Sequence, residues 1–215
     1  MHPFAGWFGN RRSSGVRAAR WVVIDCETSG LDPARDRLLS VGAVSVRAGR
    51  IEAGPGYGAV LRQQSPSDAA NILIHGIGGE AQALGLAARQ ALEGLGAFLG
   101  DSVPVAFHAP FDAQVLHRAM KAVKLESPRR WLDLARVAPA LFPKSPSSRT
   151  VPRALDDWLE KFEIECDARH DALGDAYATA QLLLVLLAEA ERQGAGTVDE
   201  VLRLERSGRW LPGAG

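Results

Sequence analysis

The sequence predicts a three-layer α/β/α domain built on a mixed five-stranded sheet. Three observations predict it. Short apolar runs rich in β-branched residues, Trp21–Ile24 and Val103–Phe107, read as buried central strands. A strand pair at 38–47 and 50–61 around Gly49 reads as an antiparallel hairpin. Long stretches with helical periodicity separate and follow these strands, which suits helices on both faces of the sheet.

In chain order the pattern reads strand (21–26), hairpin (38–47 and 50–61), helix (80–99), strand (103–107), helix (112–123), strand (131–134), then helices. Gly54 to Gly58 interrupts the third strand as a bulge or irregular edge. Pro110 breaks the run after Phe107, and Asp112 opens a helix with Val115, Leu116 and Ala119 on one face. Asp171 to Arg192 is the longest helical stretch, with Leu173, Ala176, Tyr177, Ala180, Leu184 and Leu187 on one face. Its apolar run Leu182–Leu187 is far too short to span a membrane and reads as buried core. Thr197 to Arg206 forms a short final helix.

Four acidic residues and one histidine occupy telling positions within this frame. Asp25 and Glu27 stand at the end of the first strand, and residues i and i+2 share a face. Cys26 turns the other way into packing. Two carboxylates held together repel, and a divalent cation relieves that penalty; hard oxygen donors suit Mg²⁺ or Mn²⁺. Asp112 taken alone reads first as a helix N-cap. His170 and Asp175 lie five residues apart, about 140° around a helix, so both cannot share a helical face. An N-cap at Asp171 resolves this: His170 stays in the preceding loop while Asp175 projects from the first turn.

The three segments together resemble the DEDDh branch of the DnaQ-like 3′→5′ exonucleases, the family of the epsilon-subunit-type proofreading domain. Asp25-Cys26-Glu27-Thr28-Ser29-Gly30-Leu31-Asp32-Pro33 is similar to the family's first motif, with Ser29 in place of Thr. Phe111-Asp112 matches the second motif, and His170-Asp171-Ala172 through Asp175-Ala176 the third. Ile74-His75-Gly76-Ile77 resembles a His-Gly-Ile stretch between the first two. Phe107 and His108 hold positions where relatives often carry His-Asn, and Leu134 stands where Thr is common.

The resemblance implies a ribonuclease-H-like fold and two-metal phosphodiester hydrolysis. It assigns one metal to Asp25, Glu27 and Asp175, and a second to Asp25 and, through water, Asp112. His170 is implied as the base that takes a proton from the attacking water, a task suited to an imidazole. Thr28, Leu31, His75, Ile77, His108 and Phe111 are implied to form the pocket for the 3′-terminal nucleotide. For Leu31 and Ile77 ordinary apolar packing is an equal alternative. The expected substrate is the 3′ end of single-stranded or frayed DNA, released as nucleoside 5′-monophosphates. RNA trimming is an alternative, and so is a catalytically silent nucleic-acid-binding or scaffold module.

Composition agrees with one enzyme domain at 20–193, flanked by a basic flexible arm (1–19) and a C-terminal helix and tail (194–215). The arm carries Arg11, Arg12 and Arg17 without an acidic residue and lacks the apolar core of a secretory signal. No membrane association and no small-molecule cofactor are expected, and a cytoplasmic location follows. A polymerase or repair partner is compatible with the family, although the tail shows no epsilon-type clamp-binding motif. Cys26 and Cys166 are isolated thiols without a disulfide framework. The formal net charge is zero, which excludes a global basic footprint for long nucleic acid. Residues 118–149 nevertheless hold eight Lys or Arg against Glu126 and Asp133. Arg129, Arg130, Lys144 and Arg149 are candidates to hold backbone phosphates, with a solvated surface the alternative.

Overall fold

A computed structural model describes residues 14–54, 56–143, 152–166 and 169–207. The first strand, β1 (Trp21–Thr28), runs two residues past its expected end, so Asp25 and Glu27 lie within it. β2 (Leu38–Arg47) pairs with it antiparallel, while β5 (Val103–Ala106) lies parallel on its other side and β6 (Leu132–Asp133) parallel to β5. The expected third strand is split into β3 (Arg50–Ile51) and β4 (Tyr57–Val60), both antiparallel to β2. Six strands therefore occupy five positions, and the break falls at the glycine-rich segment. Ala48 and Gly49 both carry positive φ (55° and 71°), the geometry of a two-residue type I′ hairpin turn.

Alternation along β1 and β2 divides the core into two layers. Trp21, Val23, Val44 and Val46 face α7 (Ala172–Arg192), with α5 (Leu134–Leu141), α6 (Leu155–Lys161) and α8 (Val198–Ser207) completing that layer. Val22, Ile24, Val41 and Ala43 face α3 (Ala88–Leu99) and α4 (Ala109–Ala122). Helices thus cover both faces, the expected three-layer architecture. α7 is long and apolar enough to cross a membrane, but it is a core helix: Leu182, Leu183 and Leu186 are buried in the first layer.

Several elements differ from expectation. The helix expected at 80–99 is two, α2 (Gly79–Leu84) and α3, because residues 85–87 leave the helix to run along the sheet edge. There the Leu86 amide donates to the Val60 carbonyl and its own carbonyl accepts from the Arg62 amide. A Cβ on Gly85 would lie 2.8 Å from the backbone of that strand, so only glycine permits the approach. α1 (Ala69–His75) has no counterpart among the expected elements; Asp68 caps it by accepting from the Asn71 amide. α4 begins at Ala109 rather than at residue 112, with Pro at the first turn, where its missing N–H costs nothing.

Residues 14–19, expected within the basic arm, pack onto the domain. Val16 is buried, its amide donates to Gly196 and its carbonyl accepts from the Trp21 indole. Arg17 pairs with Glu191 on α7. α8 likewise buries Val198, Val201 and Leu202 in the core. Residues 1–13 and 208–215 lie outside the described residues.

Candidate metal and nuclease site

Asp25 and Glu27 project from the α7 face of β1, where Val23 and Trp21 precede them. α7 comes unusually close at this point. A Cβ on Gly42, the β2 neighbour of Asp25, would lie 2.2 Å from the Ala172 backbone. That clearance seats the first turn of α7 on the sheet and delivers Asp175 to the strand carboxylates. One oxygen from each of Asp25, Glu27 and Asp175 lies within 4.8 Å of the others. An ion with oxygen ligands at about 2.1 Å spans ligand pairs of up to about 4.2 Å, so a small closure of this group would enclose one. The donors are all carboxylate oxygens, the set suited to a hard divalent cation. These residues fit the metal that the family implies.

The electrostatics report the same crowding. Burial, then repulsion from Asp112, Asp175 and Glu27, raises the Asp25 carboxyl well above its ordinary range. Burial and the charges of Asp175 and Asp171 push Glu27 up to about 7. Asp112 rises to about 8, mainly through burial.

Asp112 stands apart from the other three. It lies buried in the first turn of α4 and is not the N-cap, a position held by His108. Its carboxylate accepts hydrogen bonds from the Cys26 thiol and the Cys26 backbone on the opposite face of β1, while its charge is felt at Asp25. Cys26 thus faces the second-motif carboxylate as well as packing in that layer. Nothing in the local sequence of Cys26 signals this, since its partner lies on a distant helix.

Asp171 caps α7 as expected, accepting from the Gly174 amide at 2.9 Å. His170 precedes it with a left-handed backbone (φ 63°); its side chain is exposed and its amide donates to Asp175 Oδ2 at 3.0 Å. A non-glycine residue held there is a strained feature of the kind that clusters at functional sites. Arg169, not expected from sequence, ion-pairs with Asp175 and, at 2.8 Å, with Asp156 on α6.

The six expected pocket residues separate into two groups. Leu31 is 92% exposed at the tip of the loop after β1. His108 is exposed with a left-handed backbone, a conformation for which His and Asn are enriched, and it meets Phe107 edge-on. Phe111 and Ile77 are half-buried, Phe111 against the α3–α4 layer. Thr28 and His75 are buried in hydrogen bonds instead. Thr28 donates to the Gly30 carbonyl at 2.6 Å. His75 Nδ1 accepts from the Ile77 amide, which leaves Nε2 to donate to Asn71 Oδ1 at 2.8 Å. His75 thus braces the α1–α2 corner. Of the candidate phosphate-binding residues, 144–149 lie outside the described residues, and Arg129 is exposed.

Comparison with known proteins adds a family to this geometry. The model of the family described as "Exonuclease" (RNase_T) matches residues 22–183. The chain is 30% identical over 195 residues to a DNA polymerase III subunit epsilon-like protein of Rhodobacter capsulatus, covering 89% of this chain and 27% of the relative. It is 30% identical over 188 residues to DNA polymerase III PolC-type of Thermotoga maritima, covering 87% and 13%. The chain therefore spans well under half the length of these relatives. In fold it is similar to E. coli Exonuclease I in complex with a dT13 oligonucleotide (TM-score 0.69, 18% identity, 82% of this chain and 42% of that one). Exonuclease X in complex with 5′ overhanging duplex DNA is similar too (TM-score 0.66, 22% identity, 86% and 99%).

Proposed function

This chain belongs to the DnaQ-like exonuclease family, and from that premise we propose that it is a DEDDh-type 3′→5′ exonuclease acting on single-stranded or frayed DNA ends. The observation that carries this reading is the convergence of Asp25, Glu27 and Asp175 within 4.8 Å on one face of the sheet, with Asp112 behind them and His170 at the rim. Two bound divalent ions, Mg²⁺ or Mn²⁺, would stabilise the attacking and leaving oxygens of an in-line displacement. Asp25, Glu27 and Asp175 would hold one ion. Asp25 and, through water, Asp112 would serve the other.

His170 would act as the general base. Its loop position leaves the imidazole exposed, while its amide anchors the loop to Asp175. Leu31, 92% exposed on a loop tied down by Asp36, would wedge against terminal bases. Asp36 accepts from Ser29 Oγ and the Asp32 amide, and Arg118 on α4 donates to the Pro33 and Asp36 carbonyls. DNA is favoured because the solved structures of similar fold and the polymerase-type relatives are named for DNA and its polymerases. Location in the cytoplasm and recruitment by a polymerase or repair partner are part of the same reading.

The test runs 5′-labelled single-stranded DNA and RNA of equal sequence with Mg²⁺, Mn²⁺ or EDTA, comparing wild type with Asp25→Ala and His170→Ala. A ladder shortening from the 3′ end, dependent on metal and lost in both variants, is expected. Faster cleavage of RNA would move the substrate to the alternative. Binding without cleavage by wild type would replace the enzyme with a binding module.

A further inference from the structure

The carboxylate site carries its own counter-ion. Asp25, Glu27 and Asp175 bring three carboxyl groups together, and among the described residues the cation that opposes them is Arg169. Its guanidinium bridges two elements: one nitrogen meets Asp175 Oδ1 on α7, and another lies 2.8 Å from Asp156 Oδ1 on α6. Asp175 is nearly enclosed (its side chain is 7% exposed), whereas Asp156 is 68% exposed. The other Asp175 oxygen accepts from the His170 amide. Both oxygens of a central carboxylate are thus engaged, one of them by a full positive charge.

We propose that Arg169 is an exchangeable counter-cation that sets the affinity of this site for its divalent metal, occupying Asp175 in the metal-free protein and retreating to Asp156 when an ion binds. The proposal rests on the two-metal reading above and assigns a positioning role to two residues outside the family motifs. Its physical basis is simple. Three clustered carboxylates without a cation repel, and a guanidinium removes part of that cost in the empty site. A divalent ion a few ångströms from the same guanidinium repels it, so metal binding must weaken or break the Arg169–Asp175 contact. Asp156 gives the displaced side chain a second partner already in place, so Arg169 does not become an unpaired charge. The empty and loaded states then exchange one cation for another at Asp175, with Asp156 retained in both.

Opposite signs follow for the two ends of one ion-pair chain. Removing Arg169 removes the competitor and tightens metal binding. Removing Asp156 takes away the place to which Arg169 retreats, which costs more in the loaded state and loosens metal binding. With Arg169 gone, Asp156 has nothing to hold, so the double variant behaves as the arginine variant does.

The experiment is Mn²⁺ binding to the full chain by titration calorimetry without nucleic acid, using wild type, Arg169→Gln, Asp156→Asn and the double variant. Arg169→Gln should bind about tenfold more tightly, a coupling of ordinary size. Asp156→Asn should bind about threefold more weakly, as expected for a largely exposed pair. The double variant should match Arg169→Gln. Thermal unfolding supplies a second readout: Arg169→Gln should melt below wild type in EDTA and recover the difference in Mn²⁺. Equal or weaker binding by Arg169→Gln, with wild type binding normally, overturns the proposal and leaves the metal site standing. If Arg169→Gln fails to fold, tighter or unchanged binding by the exposed-site variant Asp156→Asn overturns it alone. Absence of Mn²⁺ uptake by folded wild type overturns the two-metal reading and this proposal with it.

Discussion

The Asn71 side-chain amide donates to the Thr28 carbonyl at 3.0 Å, tying α1 to the end of the strand that carries Asp25 and Glu27. The same side chain accepts from His75 Nε2 at 2.8 Å, and His75 Nδ1 accepts from the Ile77 amide. One residue thereby connects the carboxylate strand to the corner at Gly76. Asn71→Ala should cost about 1–3 kcal/mol, because it leaves the buried His75 N–H without its strongest acceptor. Urea unfolding would measure it, and an unchanged midpoint would remove the brace from the account.

Gly42 is the clearance on which the geometry of the site depends. A methyl group there meets the Ala172 backbone at 2.2 Å, so Gly42→Ala must push α7 off β2 and carry Asp175 away from Asp25. Overpacking of this kind costs about 1–3 kcal/mol. A displacement near 1 Å lowers catalysis by about a hundredfold. Exonuclease kcat in the fraction that remains folded should fall accordingly, and near-wild-type turnover would show that α7 can shift without moving Asp175.

The metal-free protein should lose stability as pH rises. Glu27 is raised from 4.5 to about 7 and Asp112 from 3.8 to about 8, so the folded state binds more protons than the unfolded one across those windows. The slope of unfolding free energy with pH is then negative between about 4.5 and 7 for Glu27, and continues to about 8 through Asp112. Stability from these groups is greatest below the unfolded values and is gone above the folded ones. Melting in EDTA from pH 5 to 8.5 tests this. Divalent metal should reverse the trend, since it binds the deprotonated carboxylates. A melting temperature in EDTA that climbs from pH 5 to 8 would contradict the raised values.

Leu31 separates binding from folding. At 92% exposure it contributes little to stability, and Leu31→Ala should change unfolding by no more than about 0.5 kcal/mol. If the leucine wedges against terminal bases, KM for single-stranded DNA should rise several-fold at constant melting temperature. A large loss of stability would mean that Leu31 packs within the fold in solution.

Much of the fold and most of the site can be read along the chain. β1, β2 and β5 announce themselves through short β-branched runs, and α7 through its long apolar stripe; each signal is local. Asp25 and Glu27 share a face because a strand has period two, and Asp171 caps α7 because its short carboxylate reaches the Gly174 amide. The break between α2 and α3 was hidden, since 80–99 has continuous helical periodicity. Its cause is the approach of Val60–Arg62, which local pattern does not contain. The role of His75 was hidden for the same reason: its motif suggests a pocket, while Asn71 and the Ile77 amide consume both ring nitrogens.

By itself, then, the sequence determined which residues form the strands, the long helix and the acidic motifs, because periodicity and capping act over a few residues. Tertiary structure alone decided where the charges meet. It put Asp112 on the Cys26 thiol from the far face of β1, and seated α7 against Gly42 so that Asp175 joins the strand pair. It also turned Arg169 inward between Asp156 and Asp175. Each of these relations joins separate elements through burial and Coulomb forces, which depend on distance in space and leave no periodic trace along the chain.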